Sequence, residues 1–376
     1  MELTMGRWAS REGPLRHLDP ALIAVALGLA LFGLFMVFSA TQQSLRTLGE
    51  DPGFYLKKQI AFLMLGVVVM AIVATFDYRL VKVYSGIVFG VLLFALLLVL
   101  TPIGDETAGA QRWISLFGFQ FQPAEIAKLT VVAMLAAYLS EVREVRLEHV
   151  WRAAGIAAAP IALIFLQPDV GTMMVFAAVL ITSLVVAGAR LRHIVILLGV
   201  AVFGAIIAFH LGIVKEYQIA RLRSFLDPAA DPLVAGYNLQ QAEIAIGSGG
   251  LFGRGYLNGT QTNLDFVPEQ HTDFVFTVVG EELGFVGAIL LLALFAVLLW
   301  RGFRIALLSR DTFGTLLATG IVTMLAFQVV VNVGMTMGIM PVTGIPLPLV
   351  SYGGTSMITN WAAVGLLLNV HMRRFK

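Results

Sequence analysis

The stretch Phe266-Val-Pro-Glu-Gln-His-Thr-Asp-Phe-Val-Phe276 ends a long polar loop and leads directly into an apolar segment of membrane-spanning length. It contains Glu269, His271 and Asp273, which can bind a cation or move a proton. The pair Glu281–Glu282 follows further into the apolar segment. Charged groups at membrane depth are costly and usually serve function. This stretch is therefore the first candidate for a functional site.

The composition is that of an integral membrane protein. Hydrophobic residues make up 59% of the 376 residues and charged residues only 13%, about half the charge of a soluble domain. The absence of Cys excludes disulfides and thiolate metal sites. Because Lys and Arg are scattered along the chain, no nucleic-acid partner is expected. The first apolar run, 21–40, is too long for a signal peptide.

The apolar pattern predicts an all-α integral membrane protein with about ten transmembrane helices in a single polytopic domain, 1–376. The predicted spans are 20–40, 58–76, 82–101, 123–140, 153–167, 170–189, 193–213, 272–300, 312–338 and 348–370. Placing the N-terminus inside makes every inner loop basic, as the positive-inside rule requires. Segments 1–19 and 371–376 are then cytoplasmic.

Two outer loops are predicted. The first covers 102–122. The major one, 214–271, lies between the seventh and eighth spans and is too long to be structureless in a compact domain. Within it, the apolar positions of 237–247 favour a half-amphipathic helix that breaks at Gly247. The glycine-rich stretch 247–259 favours tight turns.

Glu125 and Lys128 lie three residues apart on a predicted helix and so share one face. Each would cost roughly 2.5–3.5 kcal/mol at the centre of a bilayer, and a mutual ion pair lowers that cost. The pair is either a structural lock between helices or the charged lining of a polar cavity that opens outward.

Asp273 lies at the start of the eighth span, where a helix N-terminus favours a carboxylate. It is either a dipole partner, with Thr272 as the cap, or a general base or cation ligand. We expect His271 to form hydrogen bonds at the interface, because no second His lies at metal-ligand spacing. For Glu281–Glu282 a structural role is expected, such as a pair with Lys128.

Three further motifs interrupt the apolar pattern. Asp169, in Gln167-Pro-Asp-Val-Gly-Thr172, either caps the sixth span or faces the outer cavity. Arg112 and Trp113 are either an interfacial anchor pair or a recognition site for phosphate or sugar. The stretch Tyr352-Gly-Gly-Thr-Ser356 suits close packing or backbone contacts with an anion.

These motifs resemble those of the SEDS family, the shape, elongation, division and sporulation proteins, over nearly the whole chain. The short N-terminal segment and compact length resemble RodA more than FtsW. Ala124 stands where the family usually has Ser, so a hydroxyl is missing there. The motifs that carry the resemblance are Arg112-Trp113-Ile114, Phe121-Gln-Pro-Ala-Glu-Ile-Ala-Lys128, Gln167-Pro-Asp169, Pro268-Glu-Gln-His-Thr-Asp-Phe274 and the stretch 338–354.

The resemblance implies a peptidoglycan glycosyltransferase that polymerises lipid II at the outer face of the bacterial cytoplasmic membrane and releases undecaprenyl diphosphate. It implies a class B penicillin-binding protein as partner and a role in cell elongation. The family's catalytic Asp falls on Asp273, which is also the expected ligand of a divalent cation, Mg²⁺ or Mn²⁺. Its essential Trp falls on Trp113, and its charged pair on Glu125 and Lys128.

The expected substrate-binding cavity combines the motif residues with this resemblance. Two other classes of function stay open: a lipid II flippase that uses the intramembrane charges, and a scaffold that only recruits the penicillin-binding protein. The gathering of carboxylates at the outer end favours the enzyme. The expected cavity residues are Arg112, Trp113, Glu125, Lys128, Asp169, Glu269, His271, Thr272, Ser351 and Tyr352.

Overall fold

The computed structural model describes residues 17–107, 110–116, 119–212, 218–219, 225 and 235–374, and most of them are helical. The described helices are α1 (Pro20–Thr47), α2 (Phe54–Thr75), α3 (Tyr78–Val99), α4 (Pro123–Leu139), α5 (Leu147–Leu166), α6 (Val170–Val186), α7 (Leu191–His210), α8 (Ala235–Ser248), α9 (Thr260–Asn263), α10 (Val275–Leu307), α11 (Thr312–Thr336) and α12 (Gly354–Met372). The described strands are β1 (Asp105–Thr107), β2 (Ala110–Leu116) and β3 (Phe119–Phe121).

The protein is a multi-pass membrane protein. Within the described part of the chain, seven helices are long and apolar enough to cross a bilayer: α1, α2, α3, α5, α7, α10 and α11. The other predicted spans coincide with α4, α6 and α12, of which α4 and α6 have 17 residues each. The helical membrane fold is thus confirmed, and the count of ten crossings stays a prediction.

The helices surround α11. In the most apolar 18-residue window of α11, 67% of the window is buried. The corresponding share for the peripheral helix α7 is 11%. The α11 helix packs against α10, α6 and α4, while α2 packs along α12. Large apolar side chains on α7, such as Val195 and Phe203, are exposed, as expected for side chains that face lipid tails.

The first predicted outer loop contains a small antiparallel sheet that the helical pattern does not reveal. Its strand order is β1-β2-β3, with Asp105 opposite Trp113 and Ile114 opposite Phe121. The sheet is fixed to α12, because Thr355 Oγ1 accepts from Gln122 N at 3.1 Å and donates to Gln120 O at 3.3 Å.

Part of the major predicted outer loop inserts among the helices, a contact that the predicted tight turns do not reveal. Most of 214–234, residues 1–16 of the N-terminal segment and residues 375–376 lie outside the described residues. The predicted amphipathic helix is present as α8, and it ends at Ser248 rather than Gly247. The glycine-rich stretch after it inserts into a break in α10 at Gly284, whose φ of 65° is left-handed.

The inserted stretch satisfies the backbone groups that the helix break releases, as apolar surroundings demand. Two of its amides donate to α10 carbonyls, and two α10 amides donate to its carbonyls. Tyr256 Oη also donates to Phe35 O at 3.1 Å, which lies well inside α1. The four backbone bonds are Arg254 N to Glu281 O at 3.0 Å, Gly255 N to Glu282 O at 3.0 Å, Phe285 N to Gly250 O at 2.9 Å, and Val286 N to Leu251 O at 3.1 Å.

Candidate functional site

Asp273 is partly exposed and lies just before α10. Its backbone N–H donates to Glu269 O at 3.2 Å, so the preceding turn fixes its position. The helix begins with Phe274 as its N-cap, which provides no side-chain bond. Thr272 Oγ1 instead donates to Glu269, to O and to Oε2 at 3.1 Å each. The reading of Thr272 as the cap of this helix is therefore wrong.

The segment between α11 and α12 closes over Asp273. Buried Asn332 on α11 donates from Nδ2 to Asp273 O at 2.8 Å and to Ile345 O at 2.7 Å. Gly344, with a φ of +74°, approaches so closely that a Cβ atom there would lie 3.1 Å from Asp273 Oδ2. The carboxylate thus lies against a backbone turn that only a glycine accommodates without strain.

An aromatic cluster connects this turn to the small sheet. We call Tyr55, Phe62, Phe119, His271 and Tyr352 the aromatic cluster. The ring centroid of Tyr55 lies 4.7 Å from that of His271 and 5.0 Å from that of Tyr352. The ring centroids of Phe62 and Phe119 lie 5.5 Å apart. Tilted and edge-to-face pairs at these distances are favourable. The cluster therefore provides a rigid wall next to the Asp273 turn.

Backbone hydrogen bonds hold the cluster in place. Tyr352 N donates to His271 O at 2.9 Å, and buried Gln59 donates from Nε2 to Ser351 O at 3.0 Å. Ser351 Oγ in turn accepts from Leu347 N at 2.8 Å. Three chain segments thus meet at the turn that precedes α10, and Ser351 serves to shape the turn.

Burial shifts the pKa values of two rings in this cluster. It raises the pKa of Tyr352 to about 12, so the phenol stays protonated and keeps its O–H donor. Burial lowers the pKa of His271, although the negative charges of Glu269 and Asp265 oppose the shift. The lowered pKa keeps His271 neutral at neutral pH, and its expected hydrogen-bonding role stays a prediction.

Glu125 and Lys128 form a buried ion pair on α4. Lys128 Nζ lies 2.8 Å from Glu125 Oε1, and the side chains of Lys128 and Glu125 are 2% and 5% exposed. Glu125 Oε2 is buried and has no hydrogen-bond partner among the described residues. The helix that carries the pair, α4, packs against α3, α11 and α12. The predicted proximity of the two side chains is confirmed. The structural role and the functional role of the pair both stay predictions.

Arg112 and Asp169 meet at the α5–α6 junction. Arg112 Nε donates to Gln167 O at 3.0 Å, and its Nη2 donates to Pro168 O. Asp169 caps α6, because its carboxylate accepts from Thr172 N at 3.1 Å and from Thr172 Oγ1 at 2.8 Å. Arg112 therefore anchors the strand that carries Trp113, whose side chain is partly exposed.

The suggested pairing of Glu281 or Glu282 with Lys128 is wrong. Glu281 is fully buried and caps α9, accepting from Gln261 N at 2.8 Å and from Thr262 N at 2.9 Å. Glu282 accepts from Ser39 Oγ at 2.5 Å. Glu281 therefore fixes α9 against α10, and Glu282 connects α10 to α1.

Sequence reasoning missed two residues that place Asp273. Asn332 is one of four amide side chains in the tract 312–372, which has no Asp, Glu, Lys or Arg, and a buried polar group there requires partners. Gly344 lies among prolines, a pattern that indicates a turn without showing what the turn contacts. The sequence contains no signal that distinguishes Asn332 from Gln328, Asn360 and Asn369, and none that shows what Gly344 contacts.

The described residues contain no group of three or more His, Asp or Glu side chains that could hold a metal ion. Asp273 can supply one carboxylate ligand. Magnesium sites often use only one or two protein carboxylates and complete the coordination with substrate phosphates and water. The donor set at Asp273 fits that kind of cation, one that arrives together with a phosphate-bearing substrate.

Comparison with known proteins identifies the family. The family model described as cell cycle protein, FTSW_RODA_SPOVE, matches residues 20–376. The chain belongs to this family. It is 40% identical over 359 residues to the stage V sporulation protein E of Bacillus subtilis (strain 168), covering 94% of this chain and 96% of that protein. It is 39% identical over 360 residues to the peptidoglycan glycosyltransferase MrdB of Escherichia coli (strain K12), covering 95% and 94%.

Solved structures share the fold of this family member. A chain from the structure titled "Structural coordination of polymerization and crosslinking by a peptidoglycan synthase complex" has a TM-score of 0.80 and 33% identity, covering 96% of this chain and 99% of that chain. The rod shape determining protein RodA of Thermus thermophilus has a TM-score of 0.71 and 32% identity, covering 96% and 98%. Since FtsW proteins are also similar, at 37% identity, the preference for RodA stays a prediction.

Proposed function

We propose that this chain is a peptidoglycan glycosyltransferase that polymerises lipid II, with Asp273 as the catalytic residue. The observation that carries the proposal is the placement of Asp273. The residue is partly exposed, its carboxylate lies against Gly344, and its backbone carbonyl accepts from Asn332. Family membership supports the same activity, because the relative MrdB is named a peptidoglycan glycosyltransferase.

In the proposed reaction, the sugar 4-hydroxyl of one lipid II molecule attacks the anomeric carbon of the donor chain. The new glycosidic bond forms as the bond between that carbon and the diphosphate oxygen breaks. Asp273 accepts the hydroxyl proton as a general base. Undecaprenyl diphosphate leaves with the electron pair. The neighbouring aromatic cluster offers flat, partly apolar surfaces on which a sugar ring can be positioned.

A divalent cation fits the proposal without being required by it. When bound, Mg²⁺ or Mn²⁺ would neutralise charge on the leaving diphosphate, with Asp273 as its protein ligand. Arg112 is already engaged through two of its nitrogens on the α5–α6 junction. We therefore assign Arg112 to positioning Trp113 and the small sheet.

The proposal includes location and partner. With the termini in the cytoplasm, Asp273 faces the outer side of the cytoplasmic membrane, where segments 102–122 and 214–271 lie. A class B penicillin-binding protein would crosslink the glycan as it forms. A structurally similar chain comes from a peptidoglycan synthase complex that coordinates polymerization and crosslinking, which supports a partner of this kind. A role in cell elongation remains part of the proposal.

The test is polymerisation of purified lipid II by the purified full-length protein, alone and with a class B penicillin-binding protein, followed by separation of glycan products by length. We expect polymer with the wild-type chain. A parallel reaction with chelator measures whether polymerisation requires a divalent cation. A parallel liposome assay measures the transbilayer movement of labelled lipid II. Movement without polymer would favour the flippase alternative, and neither activity would favour the scaffold.

A further inference from the structure

The turn that leads to Asp273 begins with a residue in a backbone conformation that glutamate rarely adopts. Glu269 is exposed, and its φ of +53° lies in the left-handed region. This conformation is costly for a residue with a Cβ atom, and Gly, Asn and Asp tolerate it best. Strained residues of this kind persist where the surrounding structure fixes them, and they cluster at functional sites. What the conformation of Glu269 achieves is visible in its hydrogen bonds.

The backbone carbonyl of Glu269 is the shared acceptor of the turn that carries Asp273. It accepts from three successive amides, Thr272 N and Asp273 N at 3.2 Å each and Phe274 N at 3.4 Å. The side chain of Glu269 contacts the same turn, because Thr272 Oγ1 lies 3.1 Å from its Oε2. One residue thus provides the acceptor for Asp273 and for the amides on either side of it.

The segment around Glu269 is compact, and Asp273 is held from two directions. Val267 and Phe274, on either side of the turn, belong to one buried apolar cluster with Ala242 of α8. On the α11 side, Asn332 Nδ2 donates to Asp273 O at 2.8 Å. Glu269 therefore holds the amide of Asp273 while Asn332 holds its carbonyl. The two bonds together fix the direction in which the carboxylate leaves the backbone.

We propose that Glu269 is a positioning residue for Asp273 and acts through its left-handed backbone rather than through its charge. This inference rests on the proposed catalytic role of Asp273 and adds how that carboxylate is placed. The alternative is a direct role of the Glu269 carboxylate in the substrate cavity, which is the expectation from the sequence. A backbone role tolerates uncharged residues that adopt a positive φ and rejects β-branched ones. A charge role rejects every uncharged replacement.

The test compares Glu269→Asn, Glu269→Gly and Glu269→Gln with Glu269→Val in the full-length protein. Asn and Gly enter the left-handed region readily, Gln keeps the length of the side chain without its charge, and Val is strongly disfavoured there. Leu257→Val is the matched control, because Leu257 also has a positive φ, 67°, and lies outside the turn. Steady-state polymerisation of lipid II gives kcat and KM. Thermal melting and hydrogen exchange of the backbone amides of 272–274 are measured in parallel.

We expect the Asn, Gly and Gln variants to keep kcat within about threefold of the wild-type value, whereas Glu269→Val should lower it by about tenfold or more, because a displacement of about 1 Å costs on the order of a hundredfold in rate. KM should change little, since Glu269 does not bind the substrate in this account. In Glu269→Val the amides of 272–274 should exchange at least about tenfold faster, because they lose their shared acceptor. Leu257→Val should lose similar stability and keep the wild-type kcat.

Two results would overturn the proposal. One is a loss of kcat in Glu269→Asn and Glu269→Gln as large as in Glu269→Val, because the charge would then be required. The other is exchange of the wild-type amides of 272–274 at the rate of an unstructured loop, a measurement that needs no variant to fold. If the protein makes no polymer, slow exchange in the wild type and fast exchange in Glu269→Val would still support the placement of Asp273. The proposed glycosyltransferase function alone would then fail.

Discussion

The contact between Gly344 and the Asp273 carboxylate gives a prediction that separates position from stability. In Gly344→Ala the new Cβ would lie 3.1 Å from Asp273 Oδ2, so the carboxylate must move by a few tenths of an ångström. The left-handed φ of +74° adds a backbone cost of about 1–2 kcal/mol for a residue with a side chain. The substitution should therefore affect both stability and catalysis.

The expected loss of activity follows from the displacement. A misplacement of about 1 Å costs on the order of a hundredfold in rate, so a few tenths should lower polymerisation by about five- to tenfold. Gly49→Ala is a matched control. Gly49 has nearly the same φ, +75°, and a Cβ atom there would meet nothing within 4 Å. It should lose similar stability and no activity.

The assay is the initial rate of lipid II polymerisation at equal amounts of folded protein, with thermal melting measured in parallel. Two results would contradict the reasoning. One is a wild-type rate for Gly344→Ala together with the expected loss of stability. The other is a rate for Gly49→Ala that falls as far as that of Gly344→Ala, because the effect would then come from backbone strain alone.

The remaining predictions concern the groups that support the site. Asn332→Leu should lower stability by about 1–3 kcal/mol for each carbonyl left unsatisfied, and it should also lower the rate of polymerisation. Gln328→Leu should be neutral or stabilising, because both amide atoms of buried Gln328 have no partner among the described residues. Melting and rate assays compare the two variants. Lys128→Met alone should cost about 3–5 kcal/mol by leaving a buried charge. Adding Glu125→Leu should restore melting, and a rate that stays low in the double variant would show a functional role beyond the fold. Acidification should destabilise the wild-type protein as pH falls below about 6.5, the pKa of histidine in the unfolded chain. The reason is that the folded pKa of His271 is lowered, so the unfolded state binds more protons. His271→Asn should lose this part of the pH dependence of melting.

The membrane helices and the contacts of several motif residues could be predicted from the sequence, because the patterns that indicate them lie within short segments of the chain. Apolar runs of about 20 residues predict membrane helices. The spacing of Glu125 and Lys128 predicts their shared face, and the structure joins them at 2.8 Å. Asp169 was recognised as a candidate cap for the same reason, since its partner Thr172 lies three residues away.

The tertiary contacts that shape the site could not be predicted in the same way. Glu281 bonds Gln261 and Thr262, and no local spacing distinguishes those partners from Lys128. The insertion of the glycine-rich stretch into α10 depends on the break at Gly284. In the sequence, Gly284 is one glycine within an apolar segment, and nothing there indicates a break. Strands β1 and β3 have three residues each, which is too short for an alternating pattern to distinguish them from a loop.

The central claim is that the Asp273 carboxylate performs the glycosyl transfer, and Asp273→Asn tests it most directly. Asn preserves the size and the backbone contacts of Asp273 while removing the base. Asp265→Asn is the control, because Asp265 is exposed eight residues away and Asn tolerates its positive φ of 55°. In lipid II polymerisation with purified proteins of equal melting temperature, we expect no polymer from Asp273→Asn and a normal rate from Asp265→Asn. Normal polymer from Asp273→Asn would contradict the account.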